Sequence, residues 1–223
     1  MEHGVDLVVP IKNLDRAKSR LRGAVPVEQH ADLVLALLLD TVTAALTSAG
    51  VRRVLVICED KRVPDALAGT GVECLVERGL PGLNAALSFG AEHLRTPGGT
   101  VGALQADLPA LRPADLAGAI AEADGRRAFS ADRPGTGTTL LLAHPGEALT
   151  PRFGPGSAQA HEATGARQVG AGLASLRCDV DTEDDLAVAE GLGLGKFTLP
   201  FGLGPRRAAI DAGQWGCEHR DEP

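Results

Sequence analysis

The chain has 223 residues, 44% hydrophobic and 23% charged, which is enough for one large α/β domain or two small ones, with a substantial core. A formal net charge of −7 excludes the basic face of a general nucleic-acid binder, and aromatics at 3% leave the core to Val, Leu, Ile and Ala. No uninterrupted apolar run approaches the roughly 20 residues that span a bilayer, and the opening MEHGVDLVVPIK lacks the regions of a secretory signal, so a cytoplasmic protein with no membrane partner is expected.

The first predicted strand is 5–11, VDLVVPI, a nearly continuous apolar run of the kind buried in parallel sheets. A helix is predicted over roughly 26–49, where Leu33, Leu37, Leu38, Val42, Ala45 and Leu46 recur at helical spacing before Gly50. Next come a strand at 51–58, a short helix at 63–68, a strand at 72–77 and a helix at 83–94. A strand over 100–109 ends in Asp and Pro, and a helix opens at Pro113, a residue suited to a first turn. Strands near 127–131 and 138–143 flank a Gly/Thr-rich turn, followed by a helix at 157–163, a strand at 174–180 and a helix at 183–190. This alternation predicts a single domain over 1–192, with a mainly parallel sheet covered by helices on both faces. From Gly191 the periodicity dissolves, so 193–223 reads as an extension, either a mobile tail or a strap along the surface. The cysteines, Cys58, Cys74, Cys178 and Cys217, have neither zinc-site nor disulfide-framework spacing, and three of them read as buried small hydrophobes.

Ligands of open α/β sheets bind beyond the carboxyl ends of the strands, and four polar groups fall there. The loop 10–22, PIKNLDRAKSRLR, gathers Lys12, Arg16, Lys18, Arg20 and Arg22, a cationic place for a triphosphate; it has no Walker A pattern. In 79–90, GLPGLNAALSFG, Gly79 and Gly82 permit close backbone approach, and Asn84 suits a base edge or a ribose hydroxyl. Asp107 ends a buried strand. In RCDVDTEDDL, 177–186, Thr182 is a natural N-cap and Glu183, Asp184 and Asp185 an acidic first turn, which leaves Asp179 and Asp181 without a structural task. As residues i and i+2 of a strand they share a face; two such carboxylates repel unless a cation or proton lies between them. With Asp107 they form a set suited to magnesium, which favours a few carboxylates plus substrate phosphates. The turns DRPGTGTTLL (132–141) and PRFGPGS (151–157) offer hydroxyls, amides and Arg152 to a carboxylate or phosphate. The six histidines share no spacing and read as surface or structural residues.

Taken together, PIK…AKSRL, GLNAAL, ADLPAL, DRxGTGTxxL, FGxxS and CDVDTxxDL resemble the guanylyltransferases of deazaflavin coenzyme F-420 biosynthesis. This is the 2-phospho-L-lactate guanylyltransferase family, whose actinobacterial members look like phosphoenolpyruvate guanylyltransferases. The resemblance spans roughly 5–192. It implies a nucleotidyltransferase fold and the transfer of GMP from GTP to phosphoenolpyruvate with release of pyrophosphate. It implies Mg2+ at Asp107, Asp179 and Asp181, and the three-carbon acid at Thr138, Thr139, Gly154 and Ser157. It also implies GTP at Lys12, Lys18, Arg20, Gly82 and Asn84, with Lys18 also catalytic, and allows a homodimer. The alternatives are the same chemistry on 2-phospho-L-lactate or 3-phosphoglycerate, a sugar transferase with a DxD metal site, a molybdenum-cofactor nucleotidyltransferase and a non-catalytic nucleotide-binding module. The molybdenum-cofactor reading is disfavoured because the first loop lacks the LxGGxSxRMG pattern.

Overall fold

β1 (Val5–Ile11) is buried along its whole length, as its apolar sequence requires. A strand with no exposed face needs neighbours on both edges and cover on both faces, and this sets the architecture. In the computed structural model, which describes residues 4–21, 23–77 and 79–203, β1 pairs in parallel with β2 (Val51–Cys58) and β4 (Thr100–Leu104). β3 (Glu73–Val76) extends the parallel set beyond β2. Past β4 the direction reverses, because β6 (Thr138–Leu142) is antiparallel both to β4 and to β5 (Ala128–Ala131). A two-residue β7 (Arg167–Gln168), too short for any periodicity to announce it, completes the order β3-β2-β1-β4-β6-β5-β7.

Alternation along β1 divides the core. Leu7, Val9 and Ile11 join one cluster with Leu38 and Val42 of α1 (His30–Leu46) and Leu116 and Ala119 of α4 (Pro113–Ala123). Val8 joins the other, with Leu55, Ile57, Phe129 and Leu87 of α3 (Leu83–Leu94). Gly90 brings α3 onto the sheet, since a Cβ there would lie 2.7 Å from Val8 and 2.8 Å from Ile57. Asp6 is the polar exception in β1, fully buried and met by Arg52 and Arg53. Burial alone would raise its pKa, but the two guanidinium groups outweigh burial and lower it. The shorter helices are α2 (Arg62–Leu67), α5 (Ser157–Glu162) and α6 (Glu183–Leu192).

Three expectations change. The segment Val27–Leu46, a 3-10 turn running into α1, is 20 residues long and apolar enough on average to cross a membrane. Counting uninterrupted apolar runs overlooked it, because Asp32, Asp40, Thr41 and Thr43 break the run; more than half of the stretch is buried in the fold. Residues 174–180 form no strand. The segment turns at Leu176 N to Leu173 O and Arg177 N to Ala174 O, and meets the sheet region where Val180 N donates to Asp107 O at 3.0 Å. Its apolar residues Cys178 and Val180 fill a third cluster with Leu33, Leu37 and Leu186. The strand predicted over 100–109 stops at Leu104, and Asp107 stands in the following turn.

Residues 193–203 lie along the surface as a strap. Asp40 of α1 accepts from Phe197 N at 3.1 Å and Thr198 N at 2.7 Å, and Leu203 N donates to Glu190 at 3.1 Å. Cys58 and Cys178 are buried, and Cys58 Sγ lies 3.5 Å from the sulfur of the half-buried Cys74 on the neighbouring strand. Arg22, Cys217 and residues 204–223 lie outside the described residues.

Candidate functional site

The loop after β1 is fixed from beneath. Asn13 O accepts from Arg16 N and Ala17 N, Leu14 N donates to Asp60 at 3.3 Å, and the His30 imidazole reaches Ala17 O from α1 at 2.8 Å. Arg62, hydrogen-bonded to Asp60, holds that carboxyl well below the usual carboxylate range. The chain then enters a left-handed conformation at Lys18 (φ 53°), which costs a residue with a Cβ about 1–2 kcal/mol. That turn directs the Lys18 ammonium, 16% exposed, between the carboxylates of Asp107 and Asp181. Burial alone would lower its pKa, but the two carboxylates outweigh burial and raise it above the ordinary lysine value.

Asp107 is buried, in the turn where Leu108 N donates to Thr41 Oγ1 at 2.9 Å. Its Oδ2 meets Lys18, while its buried Oδ1 has no hydrogen-bond partner. Burial, followed by the charge of Asp107, pushes the Asp179 carboxyl up to about 7. Asp181 is half exposed. Three carboxylates thus face one ammonium, and one buried carboxylate oxygen has no donor. The donor set fits a hard divalent cation, although among the described residues no three acidic, His or Cys side chains yet close on a common point. The capping box of α6 separates these aspartates from their neighbours. Thr182 Oγ1 accepts from Asp185 N, and the Asp185 carboxylate accepts from Thr182 N, so the helix uses neither Asp179 nor Asp181 as a side-chain cap.

A cavity of about 280 Å³ opens beside Lys18 and Asp107, lined also by Pro10, Ile11, Lys12 and Leu83. Lys12 reaches Glu59 at 3.5 Å, Gly82 (φ 88°) starts α3 beneath the cavity wall, and Arg20 is exposed to solvent. A larger hollow of about 670 Å³ lies at the opposite end of the sheet, around Val5, Gly50 and Ile120, away from all of these groups. Asn84, expected to meet a base edge or ribose hydroxyl, is engaged with the protein backbone. Its Nδ2 donates to Phe153 O at 2.9 Å and its Oδ1 accepts from Phe153 N at 2.8 Å, so the amide ties the 151–157 loop to α3.

The Gly/Thr turn closes on Asp132, whose carboxylate accepts from Thr136 N and Gly137 N, both at 2.8 Å. A Cβ at residue 137 would lie 2.3 Å from that carboxylate, so a side chain there would have to displace Asp132. Arg177 clamps the same turn through the carbonyls of Ala131 and Asp132. Thr138 and Thr139 open β6 and are buried; Gln105 N donates to Thr139 O at 2.9 Å, linking this half of the site to the turn that carries Asp107. Ser157 Oγ lies 3.1 Å from Thr138 Oγ1, and Gly154 (φ 136°) precedes it in a conformation that disfavours a side chain. His161 is one of the histidines expected to be surface or structural residues. It is fully buried, 3.0 Å from Thr138 Oγ1, and its one sequence signal is its place four residues after Ser157, one helical turn away.

The fold therefore brings Lys18, Asp107, Asp179 and Asp181 together and joins Thr138 to Ser157, with Thr139 and Gly154 flanking them. A family profile described as guanylyl transferase CofC like matches residues 5–195. A phosphoenolpyruvate guanylyltransferase of Salinispora arenicola is 48% identical over 195 residues, covering 86% of this chain and 90% of its own. Among solved structures, a Desulfovibrio desulfuricans protein described as a nucleotide-diphospho-sugar transferase superposes with a TM-score of 0.66 at 16% identity, covering 93% of this chain and 97% of its own. A Mycobacterium tuberculosis protein crystallised as a manganese complex superposes at 0.52 and 18% identity, over 83% of this chain and 97% of its own.

Proposed function

This chain belongs to the CofC-like guanylyl transferase family, and on that premise we propose that it transfers GMP from GTP to phosphoenolpyruvate in the cytoplasm, as a step of coenzyme F-420 biosynthesis. The observation that carries the reading is the Lys18 ammonium set between Asp107 and Asp181 beside Asp179, at the carboxyl ends of the central strands.

A phosphate oxygen of phosphoenolpyruvate attacks the α-phosphorus of GTP. The bond from that phosphorus to the bridging oxygen breaks, and pyrophosphate leaves with the electron pair. The products are enolpyruvoyl-diphospho-guanosine and pyrophosphate. A phosphate dianion is already a competent nucleophile, so positioning and charge neutralisation suffice and no activated Ser or His is required. Asp107, Asp179 and Asp181 would hold magnesium, which supplies charge neutralisation at the reacting phosphate. The Lys18 ammonium is placed to absorb negative charge on the triphosphate, and Lys12 lies at the cavity mouth. Thr138, Thr139, Gly154 and Ser157 hold the acid, and Asn84 keeps their loop in register with α3.

The test is pyrophosphate release from GTP and magnesium with phosphoenolpyruvate, 2-phospho-L-lactate and 3-phosphoglycerate compared in one assay. The expected outcome is the highest kcat/KM with phosphoenolpyruvate. Preference for another acid would replace the substrate, and no release with any of them would remove the reading.

A further inference from the structure

We propose that His161 is a positioning residue that fixes the hydrogen-bond polarity of the Thr138–Ser157 hydroxyl pair, so that one hydroxyl proton is always left for an oxygen of the bound acid. The proposal rests on the acid-binding role given to that pair above.

The polarity follows from a single backbone amide. Arg152 N lies 2.9 Å from His161 Nε2, and an amide N–H only donates, so Nε2 carries its lone pair. A neutral imidazole has one N–H, which is then on Nδ1, 3.0 Å from Thr138 Oγ1. The ring is fully buried, with Phe153 edge-on at 5.1 Å and Phe129 at 6.1 Å. Burial, then the charges of Arg127 and Arg152, lower its pKa to about 4, so it is neutral at physiological pH.

Thr138 Oγ1 therefore accepts from the imidazole. Between Thr138 and Ser157 there are two hydroxyl protons and one mutual hydrogen bond at 3.1 Å. One proton is used in that bond, and among the described residues the other meets no further acceptor. With the opposite tautomer, Thr138 would donate inward to Nδ1 and Ser157 would donate to Thr138. The pair would then turn only lone pairs toward a ligand, which repel a carboxylate or phosphate oxygen. The tautomer of a buried histidine thus decides whether this end of the site accepts an anion.

Steady-state kinetics of His161→Asp, whose carboxylate only accepts and so draws the Thr138 proton inward, tests the proposal. The expected result is a KM for the acid raised about tenfold, the scale of one hydrogen bond to a charged group, with the KM for GTP unchanged. His161→Phe, which takes no proton from the pair, is expected to keep most of the wild-type KM for the acid. Equal changes in both KM values, or a KM for the acid as high in His161→Phe as in His161→Asp, would overturn the proposal. Nitrogen NMR of the wild-type imidazole needs no variant to fold: Nδ1–H is expected at pH 7, and Nε2–H overturns the proposal alone. Absence of pyrophosphate release from the wild type with every acid removes the substrate reading, and the proposal with it.

Discussion

Asp179 holds a cost in place. Its burial next to Asp107 raises its pKa, so the metal-free protein carries repulsion that a cation would relieve. Asp179→Asn removes one negative charge from the cluster. It is expected to abolish turnover while making the metal-free protein more stable by about 1 kcal/mol, the scale of a one-unit pKa difference. Urea denaturation without metal, beside a pyrophosphate assay, checks both halves, and a variant that is active or less stable would contradict the assignment. The acidic residues of this cluster stood out in the sequence because each follows an apolar run and the capping box of α6 uses neither Asp179 nor Asp181. The cations were not separable in the same way. Lys12, Arg16, Lys18 and Arg20 look alike in sequence, and the left-handed turn at Lys18 that selects one of them depends on His30 and Asp60, residues far along the chain. The backbone partner of Asn84 was not legible for a related reason: Phe153 is 69 residues away.

At the level of elements, local chemistry was readable where the cause was local. The Thr182–Asp185 box starts α6 where the sequence places it, and Pro113 starts α4. Residues 174–180 were misread as a strand because apolar alternation reports burial, and here the burial is against α1 and α6 with no adjacent strand. α5 joins an element to a pH effect. His161 titrates near 6.5 in an unfolded chain and near 4 in the fold, so between those values the unfolded state binds more protons. Its contribution to stability is therefore fully present above about pH 6.5 and is lost as pH falls toward 4. Chemical denaturation at pH 7 and pH 4.5 is expected to show a larger loss for the wild type than for His161→Phe. Equal losses would mean the ring is not held neutral.

Across the whole molecule, the mainly parallel sheet with helices on both faces follows from the pattern of apolar runs, whereas the strand order and the reversal beyond β4 depend on pairings no single segment specifies. The strap shows a similar limit. Residues 193–203 have no periodicity, yet they are fastened by the carboxylates of Asp40 and Glu190. Asp40→Ala leaves two amides without their acceptor and is expected to destabilise the protein by about 2 kcal/mol, read as a lower urea midpoint with an unchanged slope. An unchanged midpoint would show that the strap adds nothing to stability.

The reversal of β6 has a consequence for how this protein varies. Strands β1 and β4 deliver the cationic loop and Asp107 from their carboxyl ends, while the antiparallel β6 delivers Thr138 and Thr139 to the same rim from its amino end. The two halves meet through the Gln105–Thr139 hydrogen bond, yet each is built by its own stretch of chain. On the proposed assignment, changes in the 132–157 region would reshape the acid's side of the site and leave the register of the parallel strands, and with it the nucleotide's side, intact.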